Sequence, residues 1–394
     1  MVRKLLITLL SVVGFVAGAD LNELIEFALE NNPRIKSFDR LKKALAYRET
    51  FSRSLPNPVF SFGLNNIDTE RYFPSKKNPM SGFGLFLSQK YVLPVKREKS
   101  AQILVGRQRE IDRIRERFEK ELIKKIKVLY WDFSYSFELR RILKGIENEI
   151  RALLDITEER YRYGEALLSD LILLKVELMK VEEKLSEAEK LKRTSLERIF
   201  ALAGGRLELI DEGLEILPFP EDFDPQKNVD VKLASTELNT IKREIERMQV
   251  EHYPDLFLSV GYSIRPDIPN LITLRLGLSL PLWKSKREDM LVLEKKERYG
   301  AKLLELEDIK LRVAGEFAAL RESYLINMEI LSTIEKEIEE KKKEIEALLI
   351  AYEYEKTDIR EILRAYRALW SLEFDRARIL KELNQIVAKA EALQ

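Results

Sequence analysis

Four short stretches of apolar–polar alternation interrupt a chain that otherwise reads as helix, and their small number limits what the chain can fold into. Residues 55–64, LPNPVFSFGL, are echoed at 253–262, YPDLFLSVGY. In 57–66, Phe60, Phe62 and Leu64 alternate with Ser61, Gly63 and Asn65. In 82–92, Phe83, Leu85 and Leu87 alternate with Gly84, Phe86 and Ser88. The same pattern fills 255–264 (Leu258, Val260 and Tyr262 against Ser259 and Gly261) and 271–281 (Ile272, Leu274, Leu276 and Leu278 against Thr273, Arg275, Gly277 and Ser279). A period of two is the strand signal. One apolar face and one small or polar face suit a strand with lipid outside and water inside. Tyr72, Phe73, Tyr91, Tyr253 and Trp283 flank the segments as an aromatic belt would. Open sheet edges are not tolerated in lipid, and the smallest barrels have about eight strands. Four strands per chain therefore predict a barrel shared between copies. The competing expectation is a soluble four-stranded sheet packed on helix.

The helical lengths repeat around these strands. Repeat one spans 20–225: strands 57–66 and 82–92, a long helix over about 96–161, a return helix over about 165–202 and a loop at 203–225. Repeat two spans 226–394: strands 255–264 and 271–281, a long helix over about 286–351 and a return helix over about 358–392. ERYRYGEALLSDLILL at 159–174 is echoed by IAYEYEKTDIREILRA at 350–365, which matches Tyr161 to Tyr352 and Leu168 to Ile359. A helix of about 66 residues is ~100 Å long. The return pieces add up to similar lengths, which predicts a tall bundle with strands at one end and the two turns at the other.

Composition narrows the function. With 68 basic and 67 acidic residues the charge nearly cancels, which argues against a dedicated nucleic-acid binder. There is no cysteine, hence no disulfide, no thiolate metal site and no lipoprotein attachment. Abundant Glu, Lys and Arg without Cys is also a thermophile trait. MVRKLLITLLSVVGFVAGAD reads as a secretory leader over 1–19, with Ala17-Gly18-Ala19 as the cleavage site and Asp20 as the mature start. Ser-His-Asp, P-loop and dinucleotide motifs are absent, so no enzyme and no cofactor is expected. His252 is the single histidine and reads as structural, and no metal site is expected.

The mature chain resembles the TolC-like outer-membrane efflux protein family. The marks are the tandem repeat, NNPRI after the first helix start, LPNPVFSFGL, LSLPLW followed by KSKRE, and the RYRYGEALLSDLI turn. The resemblance implies a mainly α fold with a transmembrane β part: a homotrimer with a 12-stranded barrel and a long α-helical barrel. It implies the exit duct of a tripartite efflux pump in the outer membrane of a Gram-negative-type bacterium. Such a duct is passive and carries small molecules or metal ions. Its partners would be outer-membrane lipid, a periplasmic adaptor and an inner-membrane transporter of RND or ABC type.

The resemblance also implies a gate at the two turns. Ser169 and Asp170 fall where the family carries a Thr-Asp pair, and Tyr352 matches the linking Tyr, so a Tyr352–Asp170 hydrogen bond is expected. The family's linking Arg falls at Thr357, a departure. Glu361 falls at the first acidic-ring position and Arg364 at the second, which gives a mixed ring. Tyr163, Gly164, Glu165, Tyr354, Glu355 and Lys356 would form the adaptor-docking turns, with Glu355 standing where the first turn has its glycine. The alternative to a channel is a secreted periplasmic coiled-coil scaffold or adaptor, which accounts for the helices but not for the alternating strands.

Overall fold

The computed structural model describes residues 18–394 apart from 68, 71 and 355; the expected leader lies outside the described residues as far as residue 17. In chain order the elements are α1 (Leu21–Asn31), α2 (Pro33–Arg53), β1 (Val59–Asn65), β2 (Gly82–Tyr91), α3 (Pro94–Arg162), α4 (Leu168–Ala203), α5 (Val229–Gln249), β3 (Leu256–Ile264), β4 (Leu271–Leu278), α6 (Glu288–Glu353) and α7 (Ile359–Leu393). Asp20 caps α1: its carboxylate accepts the Glu23 N–H at 2.8 Å, and Glu23 reaches back to the Asp20 N–H at 3.2 Å. The first helical stretch breaks between α1 and α2. Asn32 precedes a proline and takes an extended backbone (φ −61, ψ 121). Its side-chain amide donates to the Leu202 carbonyl at 2.8 Å. Gly204 ends α4 at φ +78, a left-handed conformation open to glycine at little cost.

The chain packs as two compact units that cut across the sequence repeats. One holds residues 36–117 and 225–312, the other residues up to 35, 118–224 and 313–394; α2, α3 and α6 contribute to both.

The first unit carries the sheet, in order β1-β2-β3-β4, with every neighbouring pair antiparallel. The register lines up whole rows on one face. Phe60 lies opposite Leu87, Leu87 opposite Val260 and Val260 opposite Leu274; the next row is Phe62, Leu85, Tyr262 and Ile272. This face is bare: Phe60, Phe62, Ile272, Leu274 and Leu276 are each 62–75% exposed. The reverse face carries Ser61, Gly261 and Thr273, a Ser88–Ser259 hydroxyl contact of 2.9 Å, and Arg275 over the Phe86 ring. The surrounding helices are joined by ion pairs, among them Lys42–Asp112 at 2.8 Å and Arg117–Asp230 at 2.8 Å.

The second unit is helical and carries both turns. α3, α4, α6 and α7 share a core of Leu143, Ile150, Leu174, Ile362, Leu363 and Trp370, among others. The 203–225 segment is fastened from both repeats. Tyr130 donates to the Ile210 carbonyl and Tyr324 to the Leu217 carbonyl, each at 2.9 Å, and buried Asn384 holds the Leu217 N–H and the Glu215 carbonyl. Residue 19 pairs with residue 209 in a parallel bridge, so this segment meets the start of the described chain as well as α7.

Candidate functional site

The two turns of the helical unit are built alike. At the first, the Glu165 N–H bonds the Arg160 carbonyl at 2.9 Å and the Gly164 N–H bonds Tyr161 at 3.0 Å. This is the paired closure of a Schellman motif, with Gly164 at φ +79. At the second, the Lys356 N–H bonds the Ala351 carbonyl at 2.9 Å, the same long link. Glu355, at the glycine's place, lies outside the described residues. The match of Tyr161 to Tyr352 sets a repeat shift of 191 residues. By that shift Asp170 and Glu361 are equivalent, each three residues past its N-cap (Leu167 and Asp358). An acid there offsets the helix-end partial charge.

Their partners differ. Asp170 accepts the Leu167 N–H at 3.4 Å and faces Arg360 across the hairpins at 3.4 Å; Arg360 also donates to the Ser169 hydroxyl at 3.4 Å. Glu361 instead accepts the Thr357 hydroxyl at 2.6 Å, while Asp358 caps α7 through the Arg360 and Glu361 N–H groups. Tyr352 is buried under Arg160, whose guanidinium sits 4.4 Å from the ring centre and donates to the Tyr352 carbonyl at 2.9 Å. The structure therefore does not pair Tyr352 with Asp170 inside one chain. Arg160 occupies the tyrosine, and Arg360 occupies the carboxylate. Glu361 and Arg364 share a helix but form no ion pair with each other, and Arg364 is exposed. Tyr163 and Tyr354 are 76% and 71% exposed, equivalent bare aromatics at the two tips. Glu165 and Lys356 are exposed beside them.

The Arg360 contact is the first rung of a ladder. One heptad on, Arg367 pairs with Glu177, and a further heptad on, Lys184 lies 5.0 Å from the Phe374 ring. Positions 170, 177 and 184 of α4 thus meet 360, 367 and 374 of α7 at a constant offset, which makes the helices parallel neighbours with a coiled-coil period. Burial opposes ionisation of Glu177, whose side chain is 8% exposed, but hydrogen bonds from Arg367 and Lys180 outweigh it and hold the carboxyl below its ordinary range. Sequence reading missed Arg160, Arg360, Arg367 and Glu177. The heptad spacing of 170 and 177 in α4 and of 360 and 367 in α7 is present in the sequence, but it does not say which helix faces which.

Next to the ladder, the Trp370 indole N–H donates to Glu149 at 2.7 Å. Burial pushes the Glu149 carboxyl up, and burial followed by the Glu149 charge does the same to Glu373.

No family model and no curated relative matches the chain. Solved structures do. A CusC structure described for transmembrane channel formation matches at TM-score 0.78 and 12% identity, over 95% of this chain and 92% of that one. The outer-membrane protein VceC of Vibrio cholerae matches at TM-score 0.74 and 14% identity, over 95% of each chain. The open-state outer-membrane channel MtrE of Neisseria gonorrhoeae matches at TM-score 0.73 and 12% identity, over 95% and 88%. The long helices, the four-stranded sheet and these likenesses agree: the chain has the TolC-like fold of outer-membrane channels.

Proposed function

We propose that this chain is the outer-membrane exit duct of a tripartite export system, a passive channel for small molecules or metal ions. The observation that carries this reading is the sheet: one bare apolar face, a reverse face that mixes Ser, Thr, Gly, Lys and Arg with Phe86 and Phe257, and two edges at β1 and β4 that no described strand pairs. In water an exposed apolar face of this size invites aggregation. In a bilayer it is the required surface, provided the edges are closed by further copies. Three copies would supply twelve strands.

A face of α4 supports such an assembly. Leu168, Ile172 and Met179 are 55%, 53% and 65% exposed, whereas their repeat equivalents Ile359, Leu363 and Trp370 are 2%, 1% and 6% exposed. The α7 face is covered by the first hairpin of the same chain. The α4 face would be covered by a neighbouring copy.

The turns would form the gate and receive a periplasmic adaptor, with energy coming from an inner-membrane transporter. In this reading Asp170, Ser169, Arg360 and the Arg160–Tyr352 stack hold the closed state, and Thr357, Glu361 and Arg364 belong to the entrance. Tyr163, Gly164 and Tyr354 are the exposed tips for docking. The test is conductance of the detergent-extracted protein in a planar bilayer. The wild type should conduct weakly as a trimer, and Arg360→Ala should raise the mean conductance. A chain that stays soluble and monomeric without detergent would sink the reading.

A further inference from the structure

A groove of 460 Å³ opens where the sheet gives way to helix, between the end of α2, the lead into β1 and the start of α3. Its lining combines bare apolar groups with cations. Phe51 is 66% exposed, with the Arg48 guanidinium 4.8 Å from its ring centre, Leu55 is 39% exposed, and Pro56 and Val92 extend that wall. Opposite stand Lys96, Arg97 and Arg247. Two of the three cations are matched. Lys96 lies 3.0 Å from Asp255 and 3.8 Å from Glu251, and Arg247 pairs with Glu251 while donating to the Ser100 hydroxyl at 2.7 Å. Arg97 is not matched by an acid. Its guanidinium donates to the Val92 carbonyl at 3.1 Å and to the Arg53 carbonyl, and no carboxylate among the described residues pairs with it. The three cations of the lining have two carboxylates between them, Asp255 and Glu251, and Asp255 also pairs with Lys90 at 2.9 Å, so the cluster carries an excess of positive charge beside an apolar wall.

We infer that this groove binds an anionic phospholipid, with the phosphate at Arg97 and an acyl chain along Phe51 and Leu55. The inference rests on the outer-membrane reading above and adds a ligand to it. A guanidinium with donors to spare matches phosphate oxygens. Free phosphate would leave Phe51 and Leu55 bare, whereas a lipid tail covers them. The position fits, since Leu55 lies four residues before β1, whose apolar side chains form the bare face of the sheet. A lipid at this level would fasten the sheet-to-helix junction to the leaflet beside it.

The experiment uses the full chain in detergent and measures melting with added phosphatidylglycerol, with phosphatidylcholine of the same acyl chains, and with inorganic phosphate. Native mass spectrometry counts bound lipid in parallel. Phosphatidylglycerol should raise the melting temperature and phosphatidylcholine should do so much less. Arg97→Gln should weaken phosphatidylglycerol binding about tenfold, the loss of one charge-assisted contact. Arg97→Lys should restore part of it, and Lys296→Gln, an exposed cation elsewhere on α6, should change nothing. Equal binding by wild type and Arg97→Gln would overturn the proposal, and so would an equal shift from inorganic phosphate. A photo-crosslinker at Leu55 that captures a second copy of the chain, not lipid, would overturn it as well. Whether the protein needs detergent at all is read separately, so failure of the membrane reading and failure of the lipid site give different results.

Discussion

The two turns of the helical unit start from one plan and end in different surroundings. Each closes with the same six-residue backbone link, and each places an acid three residues past its N-cap. Asp170 is nevertheless tied across the hairpins to Arg360, while Glu361 stays within its own turn on Thr357. The apolar faces diverge further. Leu363 on α7 is 1% exposed and its equivalent on α4, Ile172, is 53% exposed. A duplicated sequence pattern thus dictates the local helix but not its neighbours. The α7 face finds the first hairpin, while Leu168, Ile172 and Met179 on the α4 face stay exposed among the described residues.

The strongest test of that asymmetry is a pair of matched truncations. Leu363→Ala should destabilise by about 2–5 kcal/mol, the range for deleting a fully buried leucine side chain. Ile172→Ala should change the stability of the isolated protomer by less than about 0.5 kcal/mol. Denaturant melts of both variants check this, and equal losses would mean that the two faces are not as different as they stand here. Arg367→Ala comes next. It leaves the nearly buried Glu177 with Lys180 as its remaining cation, at a cost of about 1–3 kcal/mol. Arg360→Ala removes a pair whose arginine is 56% exposed, so its stability effect should stay below about 1 kcal/mol even where conductance changes.

Much of this architecture is legible in the sequence because periodicity reports which face is apolar. The four strands lie where alternation places them, and α3, α4, α6 and α7 begin and end within a few residues of their expected bounds. Asp20 and Glu23 cap α1 with the residue types and the three-residue spacing of a capping box. The break at Asn32 has a local cause, since the Pro33 ring disfavours a helical backbone at the residue before it. The gate partners were not legible. Which arginine meets Asp170 depends on how α4 and α7 line up, and no pattern within either helix states that alignment. Arg160 on Tyr352 likewise needs α3 and α6 to be placed first.

Gly164 and Glu149 give smaller contrasts between the repeats. Gly164→Ala should cost about 1 kcal/mol, because an alanine side chain disfavours the left-handed backbone at φ +79, although no atom crowds the site. A melt with an unchanged midpoint would show that the turn relaxes to another conformation at no cost.

Glu149 and its repeat equivalent, Glu340, offer the pH test. Glu340 is 74% exposed beside Lys343, whereas Glu149 is partly buried beneath Trp370. Burial raises the Glu149 carboxyl above its ordinary value of 4.5, and Glu373 shifts the same way, from burial and then from the Glu149 charge. Lys342 faces both carboxyls, and Arg141 and Arg376 face Glu373; their attraction lowers both values without cancelling the rise. The folded state therefore binds these protons more tightly than the unfolded chain. Their contribution to stability falls as pH rises from about 4.5 through the raised values, and it recovers on acidification over the same window. Glu177 acts oppositely, since its held-down carboxyl is lost as a stabilising charge only below the ordinary range. Glu149→Gln keeps an acceptor for the Trp370 indole and removes the charge. The variant should melt above wild type at pH 7.5, and the gap should close as pH falls through the raised value towards the ordinary 4.5. A Glu149→Gln advantage that does not depend on pH would trace the effect to packing around Trp370, not to the buried charge.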